Sequence, residues 1–390
     1  MAFLFLNFLV FLSMFLLCFV RCEPTPLLPP FNISQPDLLK YFGLNNFGNI
    51  LPAMYVFGDS YIDAGNNNYL KTIAKANYLP YGIDFAGGQP TGRLTNGRTA
   101  ADFIAQLAGL PFPPPMLGMS AAEKENTLTG VNYGSGSSGI QALPPTVAPI
   151  FGHVLRFEEQ INLFKETTNS MRSRFASLES LALYMSKSLF FIHIGSMLSN
   201  DLGVYWEIGQ RDAFFSNATE YALGLSKNLS RGLEEIYELG ARKFLVNNVP
   251  PMGCWPANVN SHKPNTSCVE DINQRVSYYN GVLPNMLKNL EASLKGSTFV
   301  VCDLYRLFGD VFSQPAAYGF WNVSGFCCPD SAGNGTRECA KGGVPCMDRE
   351  TILFFDPVHP TERFHFHWVR SFLLEDSLCS PYNLLELIQL

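Results

Sequence analysis

Hydrophobic positions along this chain fall into two patterns. Short apolar runs rich in β-branched or aromatic residues read as buried strands: "AMYVFG" from Ala53, "LFFIHIG" from Leu189, "KFLVNNV" from Lys243 and "TFVVCD" from Thr298. Between them the apolar residues recur at helical spacing, in "RTAADFIAQLAGL" from Arg98, "ATEYALGLSKNLSRGLEEIYELG" from Ala218 and "INQRVSYYNGVLPNMLKNLEASL" from Ile272. Gly240 suits a C-terminal cap for the second of these. Strand and helix therefore alternate, which predicts an α/β protein with a mostly parallel sheet and helices on both faces. Ligands of such sheets bind at the carboxyl ends of the strands. That rule puts Ser60, just past the first strand, on the functional edge.

The stretches between these elements are rich in turn formers. "NNNYL" and "YGIDFAGGQPTGRLTNGR" read as rim loops, and "LPFPPPMLG" as an extended surface connection. Residues 23–50, rich in Pro and Asn, read as a lead-in, so that one catalytic domain spans 51–390. The opening "MAFLFLNFLVFLSMFLLCFVRCEPTP" reads as a secretory signal peptide ending at Cys22, in preference to a membrane anchor. Composition agrees with a globular chain, being 47 % hydrophobic and 15 % charged. A net charge of −6 without any basic run argues against a nucleic-acid partner and favours a small neutral or apolar substrate.

Ten cysteines are present, and eight remain once Cys18 and Cys22 leave with the signal. An even number suits disulfides, and we expect the local pair Cys254–Cys268. Cys327, Cys328, Cys339 and Cys346 form a cluster without histidine, which fits bridges in an oxidising compartment better than zinc. Sequons at Asn32, Asn217, Asn228, Asn265, Asn322 and Asn334 fit the same secretory route.

Ser60 stands in "YVFGDSYIDAGNN", where Gly58 frees the backbone and Asp59 adjoins it. Two uses fit: a local cap, since Asp and Ser bond their own backbone in turns, or a nucleophile at a strand end. A serine nucleophile needs a base, usually His, that is itself held by a carboxylate. Among His153, His193, His262, His359, His365 and His367, the one singled out is His359, which has a carboxylate at close fixed spacing, Asp356 in "FFDPVHPTE". A turn stiffened by Pro357 and closed by Pro360 can return that carboxylate to the imidazole nitrogen facing away from the serine. The same residues would also serve as a cap for the helix "PTERFHFHWVRSFL". Acyl transfer further requires oxyanion donors, for which "VNYGSGSSGI" from Val131 and "GSMLSNDLG" from Gly195 offer N–H groups and the Asn200 amide. Asp59 reads as a residue that bonds its own backbone.

The order of these pieces resembles the four blocks of the GDSL or SGNH hydrolase family, particularly its plant secreted esterase and lipase branch. The resemblance runs from about Ala53 to Phe372 and takes in "GARKFLVNNVPPMGC", "CVEDINQ" and "YGFWNVSGFCC". It implies a three-layer α/β/α fold like flavodoxin, hydrolysis of carboxylic esters of small molecules or lipids, and neither metal nor organic cofactor. It also implies a secreted enzyme of the cell wall or apoplast. Carried over residue by residue, it makes Ser60 the nucleophile, His359 the base and then acid, and Asp356 the partner that orients it. The oxyanion donors it implies are the N–H groups of Ser60 and Gly136 and the side chain of Asn200.

Two departures stand out. The third block normally reads Gly-X-Asn-Asp, whereas "SMLS" separates Gly195 from Asn200 and Leu198 takes the glycine position counted back from Asn200. The first block ends in Tyr61, at a position without chemistry, which we expect to line the pocket. Three functions follow from this reading. One is a secreted serine esterase or lipase. The others are a lipid- or glycan-binding protein whose site the insertion disables, and an acyltransferase that uses the same triad on a wall-polymer alcohol.

Overall fold

In the computed structural model, which describes residues 27–45, 51–141, 152–195, 218–335 and 338–390, each of the four apolar runs forms a strand. These are β1 (Met54–Gly58), β2 (Leu189–His193), β3 (Lys243–Asn247) and β4 (Thr298–Cys302), side by side in that order and all parallel. Next to them β5 (Asn322–Phe326) and β6 (Ile352–Phe354) form a separate parallel pair, and β7 (Cys379–Ser380) adds antiparallel to β4.

On the outer side of β1, residues 129–135 run alongside it. Val56 N–H donates to the Val131 carbonyl at 3.0 Å, and Tyr133 N–H donates to the Val56 carbonyl at 2.8 Å. The proline-rich connection borders this segment in turn, with Asn132 N–H donating to Pro114 C=O at 2.9 Å. Prolines fit there, because an edge needs no further N–H donors and gains protection from lacking them.

Among the helices are α1 (Gln35–Tyr41), α2 (Ala100–Leu107), α3 (Phe157–Met171), α4 (Leu178–Lys187), α5 (Ala218–Glu238), α6 (Glu270–Ser293), α7 (Leu304–Ser313), α8 (Glu362–Leu374) and α9 (Leu384–Gln389). Helices α1, α2, α8 and α9 cover one face of the sheet, and α3, α5 and α6 cover the other. Neighbouring strand residues serve opposite layers, as the period of two requires: Phe190 packs on Phe164 of α3 and Phe191 on Trp368 of α8. Both faces are covered, so the strands read as continuous apolar runs. On the α3 side Tyr55, Phe190, Phe244 and Phe299 occupy one register line across all four strands. Their rings meet at 5.2, 5.7 and 4.3 Å, contacts worth roughly 0.5–1.5 kcal/mol each beyond the area buried.

Part of the expected lead-in packs on the sheet. Leu38 and Phe42 lie in the same buried core as the sheet, and the Arg98 guanidinium donates to Pro29 C=O at 2.5 Å, so 27–45 belongs to the domain. Residues 1–26, and with them the expected signal peptide, lie outside the described residues. Cys254 pairs with Cys268 as expected, and Cys302 with Cys379, Cys327 with Cys346, and Cys328 with Cys339 complete the bridges. Among the described residues, no helix is long and apolar enough to cross a membrane.

Candidate active site

The first strand ends where it must stop having side chains. A Cβ on Gly58 would stand 1.8 Å from the His193 carbonyl oxygen, so only glycine lets β1 lie this close to the end of β2. Gln160 of α3 fixes the same residue from the side, its Oε1 accepting Gly58 N–H and its Nε2 donating to Gly58 C=O, both at 2.8 Å. The chain then turns through Asp59, whose Oδ1 accepts Tyr61 N–H at 3.2 Å, a local backbone role. Ser60 sits on this turn, 9 % exposed.

A second loop, between β6 and α8, meets it. Phe355 N–H donates to His359 C=O at 2.8 Å and Thr361 N–H to Leu353 C=O at 2.9 Å, which closes the segment that carries Asp356 and His359. Asp356 Oδ1 accepts two backbone N–H groups of its own turn, Val358 at 2.8 Å and His359 at 2.7 Å. Its Oδ2 lies 2.7 Å from His359 Nδ1, and His359 Nε2 lies 2.8 Å from Ser60 Oγ. Residues 299 positions apart in sequence thus form one hydrogen-bonded line. With Oδ2 accepting from Nδ1–H, the nitrogen facing Ser60 is the one with the free lone pair.

Two tyrosines hold this loop. Tyr81 donates its hydroxyl to Asp356 Oδ2 at 2.6 Å, and Tyr61 donates to Val358 C=O at 3.0 Å. Tyr61 is 1 % exposed and stacks on His193, so it anchors the histidine loop from the core instead of lining a pocket. Burial by itself would raise the carboxyl of Asp356. The charge of His359 and the hydrogen bonds from His359, Tyr81 and the backbone outweigh it, and the carboxyl sits below its ordinary range.

The Gly-rich segment departs from expectation. Gly136 N–H donates to Asp63 Oδ2 at 2.9 Å, so in this structure it is committed to a carboxylate and does not face a substrate oxygen. Asp63 Oδ1 also accepts the N–H groups of Gly65 and Asn66, at 2.7 and 2.8 Å. Burial pushes this carboxyl up to about 6 despite those bonds and the nearby Arg93. Asn200 and the inserted Ser196–Ser199 lie outside the described residues. Among the described residues, no cluster of His, Cys, Asp or Glu is arranged to hold a metal ion.

The rim-loop expectation also needs correction. Asn66 and Asn67 are buried, and so is every residue from Arg93 to Thr99. Asn66 Nδ2 donates to the carbonyls of Asn132 and Gly134, at 2.9 and 2.8 Å, and Asn67 Nδ2 to those of Ala74 and Gly136, at 2.7 and 2.9 Å. Asn132 returns the contact by donating to Ile62 C=O at 2.6 Å. These amides tie the turn after Ser60 to the Gly-rich segment. Sequence reasoning passed over Tyr81, Gln160, Asp63 and Asn132; the only local signals were an aromatic residue and polar residues placed among turn formers.

The profile of the family described as GDSL-like lipase/acylhydrolase matches residues 54–371. The chain is 36 % identical to GDSL esterase/lipase At1g71691 of Arabidopsis thaliana, over 93 % of this chain and 91 % of that protein. It is 38 % identical to GDSL esterase/lipase 7 of the same plant, over 80 % of this chain and 85 % of that protein.

Proposed function

Because this chain belongs to the GDSL-like lipase/acylhydrolase family, and is thereby a carboxylic ester hydrolase, we propose that it works through Ser60, His359 and Asp356 by way of an acyl-enzyme. The observation that carries this reading is the unbroken line from Ser60 Oγ through His359 to Asp356 Oδ2 at hydrogen-bonding distances. Ser60 Oγ attacks the ester carbonyl carbon while His359 Nε2 takes its proton. Asp356 keeps the other proton on Nδ1 and stabilises the imidazolium that forms. The tetrahedral intermediate collapses, the leaving alkoxide receives the proton from Nε2, and the acyl group stays on Ser60. Water, deprotonated by the same nitrogen, then releases the acid and restores the serine.

The Ser60 N–H serves the oxyanion in this scheme, together with the Asn200 amide. Gly136 joins them only if Asp63 lets its N–H go. The substrate is a small-molecule or lipid ester. A secreted site of action, in the wall or apoplast, fits four disulfides, which persist in oxidising compartments.

The test is covalent labelling of the purified protein by a fluorophosphonate, followed by peptide mapping. A label on Ser60 that is absent from His359→Ala supports the triad. Folded protein that takes no label, or a Ser60→Ala variant that still hydrolyses esters at the parent rate, refutes it; removal of such a nucleophile typically costs on the order of 10⁶-fold in kcat.

A further inference from the structure

We propose that Tyr81 is a positioning residue of this hydrolase: its hydroxyl shares Asp356 Oδ2 with His359 and so sets both the place of the imidazole and the strength of its hold on the carboxylate. The inference rests on the reading of Ser60, His359 and Asp356 as a triad.

The geometry leaves the hydroxyl one role. Cys339 N–H donates to the Tyr81 oxygen at 3.3 Å, which directs the phenolic proton toward Asp356 Oδ2, 2.6 Å away. The ring is fully buried and pinned edge-on by Tyr78 and Phe355, with centroids at 5.4 and 5.7 Å. Cys339 is bridged to Cys328, so the N–H that orients the phenol stands on a stapled loop. Burial, and after it the charge of Asp356, push the phenol well up, so it remains a neutral donor wherever the enzyme works.

Asp356 thereby has all its acceptor sites filled, two on Oδ1 from the backbone of Val358 and His359 and two on Oδ2 from His359 and Tyr81. A carboxylate held by four donors cannot rotate without breaking several bonds at once. The donor from Tyr81 also draws charge away from the bond to His359, because two donors divide one oxygen. The titratable groups facing this pair are Tyr78 and Tyr81 from the loop before α2, Tyr61 after β1, Asp59 beside it and His365 of α8. Only Tyr81 among them places a hydroxyl on the carboxylate.

Tyr81→Phe removes that one oxygen and keeps the ring. The charge of Asp356 then falls more fully on the imidazolium, and the acid limb of the kcat/KM profile is expected to move to higher pH by about half a unit to one unit. We expect kcat to fall by about tenfold with KM within twofold, the split that marks loss of transition-state positioning. Tyr61→Phe provides the control. It loosens the same loop through Val358 but touches no carboxylate, so it should lower the rate and leave the limb in place.

The experiment measures kcat and KM for a small aryl ester and fluorophosphonate labelling rates of parent, Tyr81→Phe and Tyr61→Phe against pH, together with thermal midpoints. Absence of label on the parent overturns the triad and this inference with it. A labelled parent whose Tyr81→Phe variant has the same rate and the same limb overturns the role of Tyr81 alone, as does a limb that moves equally in Tyr61→Phe. If Tyr81→Phe yields little folded protein, 3,5-difluorotyrosine at position 81 keeps the hydroxyl and makes it a stronger donor. The limb should then move to lower pH, and a limb that stays put overturns the proposal.

Discussion

Replacing Asp356 by Asn tests the triad with the smallest change of shape, and its effect can be worked out atom by atom. An amide has one acceptor oxygen and one donor nitrogen where the carboxylate has two acceptors. The oxygen must stay on the Val358 and His359 N–H groups, at 2.8 and 2.7 Å, since the reverse orientation would set an NH₂ against two donors. The NH₂ then replaces Oδ2 beside His359 Nδ1 and the Tyr81 hydroxyl, which stand 2.7 and 2.6 Å away. His359 Nδ1 becomes an acceptor and its proton moves to Nε2, the nitrogen 2.8 Å from Ser60 Oγ. The lone pair that should take the serine proton is gone. The analogous change of tautomer in the template serine proteases costs about 10⁴ in kcat, equivalent to about 5.5 kcal/mol of barrier. We expect that loss here with KM nearly unchanged, read by steady-state hydrolysis of a small aryl ester and by the rate of fluorophosphonate labelling. The backbone cap survives through Oδ1, but the buried Tyr81 hydroxyl, whose oxygen already accepts Cys339 N–H, loses its acceptor, so the thermal midpoint should fall by the equivalent of about 1–3 kcal/mol without loss of the fold. A folded Asp356→Asn protein within tenfold of the parent rate would refute the assignment of His359 as the base.

Gly58→Ala should destabilise the protein by roughly 4 kcal/mol or more, since its Cβ would meet the His193 carbonyl at 1.8 Å and backbone has to move; a cost below about 1 kcal/mol in denaturant titration would contradict the close approach of β1 and β2. Burial lowers both His365 and His367 of α8 to about 3, against the raising charge of Asp102 at His365 and reinforced by Arg363 and Arg370 at His367, so the folded state keeps them neutral. Their contribution is whole above the unfolded value of about 6.5 and drains away as pH falls toward 3, by about 2 kcal/mol for each by pH 5. His367→Phe, whose ring would sit among Tyr318, Phe320 and Phe366, should flatten the fall in thermal midpoint between pH 7 and 5, and equal slopes would argue against a buried neutral imidazole. Removing the bridge between Cys302 and Cys379, which closes a loop of sequence separation 77, should cost about 2–5 kcal/mol by chemical unfolding, and an unchanged midpoint would show that β7 holds to β4 without it.

The elements that sequence reasoning placed well are those whose signal is local. β1 to β4 are buried on both sides, so four short apolar runs were enough to find them, and parallel pairing followed from the helices between. Asp356 and His359 were legible for the same reason, because a turn of three residues fixes their distance whatever the rest of the chain does. The remaining features depend on partners far away. Asn66 and Asn67 read as rim residues because asparagine is usually exposed, and burial is tolerable here only because every amide finds carbonyls across the turn. Gly136 read as an open donor, but Asp63, 73 positions earlier, claims its N–H. Tyr81 meets Asp356 across 275 positions, and nothing within "YGIDF" announces it. The helix α1 was hidden by the prolines around it, although Leu38 and Phe42 supply the apolar contacts that fasten it to α2. What distinguishes the two groups is therefore the range of the interaction that decides the conformation: strands and the Asp–His turn are decided within a few residues, whereas the hydrogen bonds that hold the site in shape are decided by which loops the sheet brings together at its carboxyl edge.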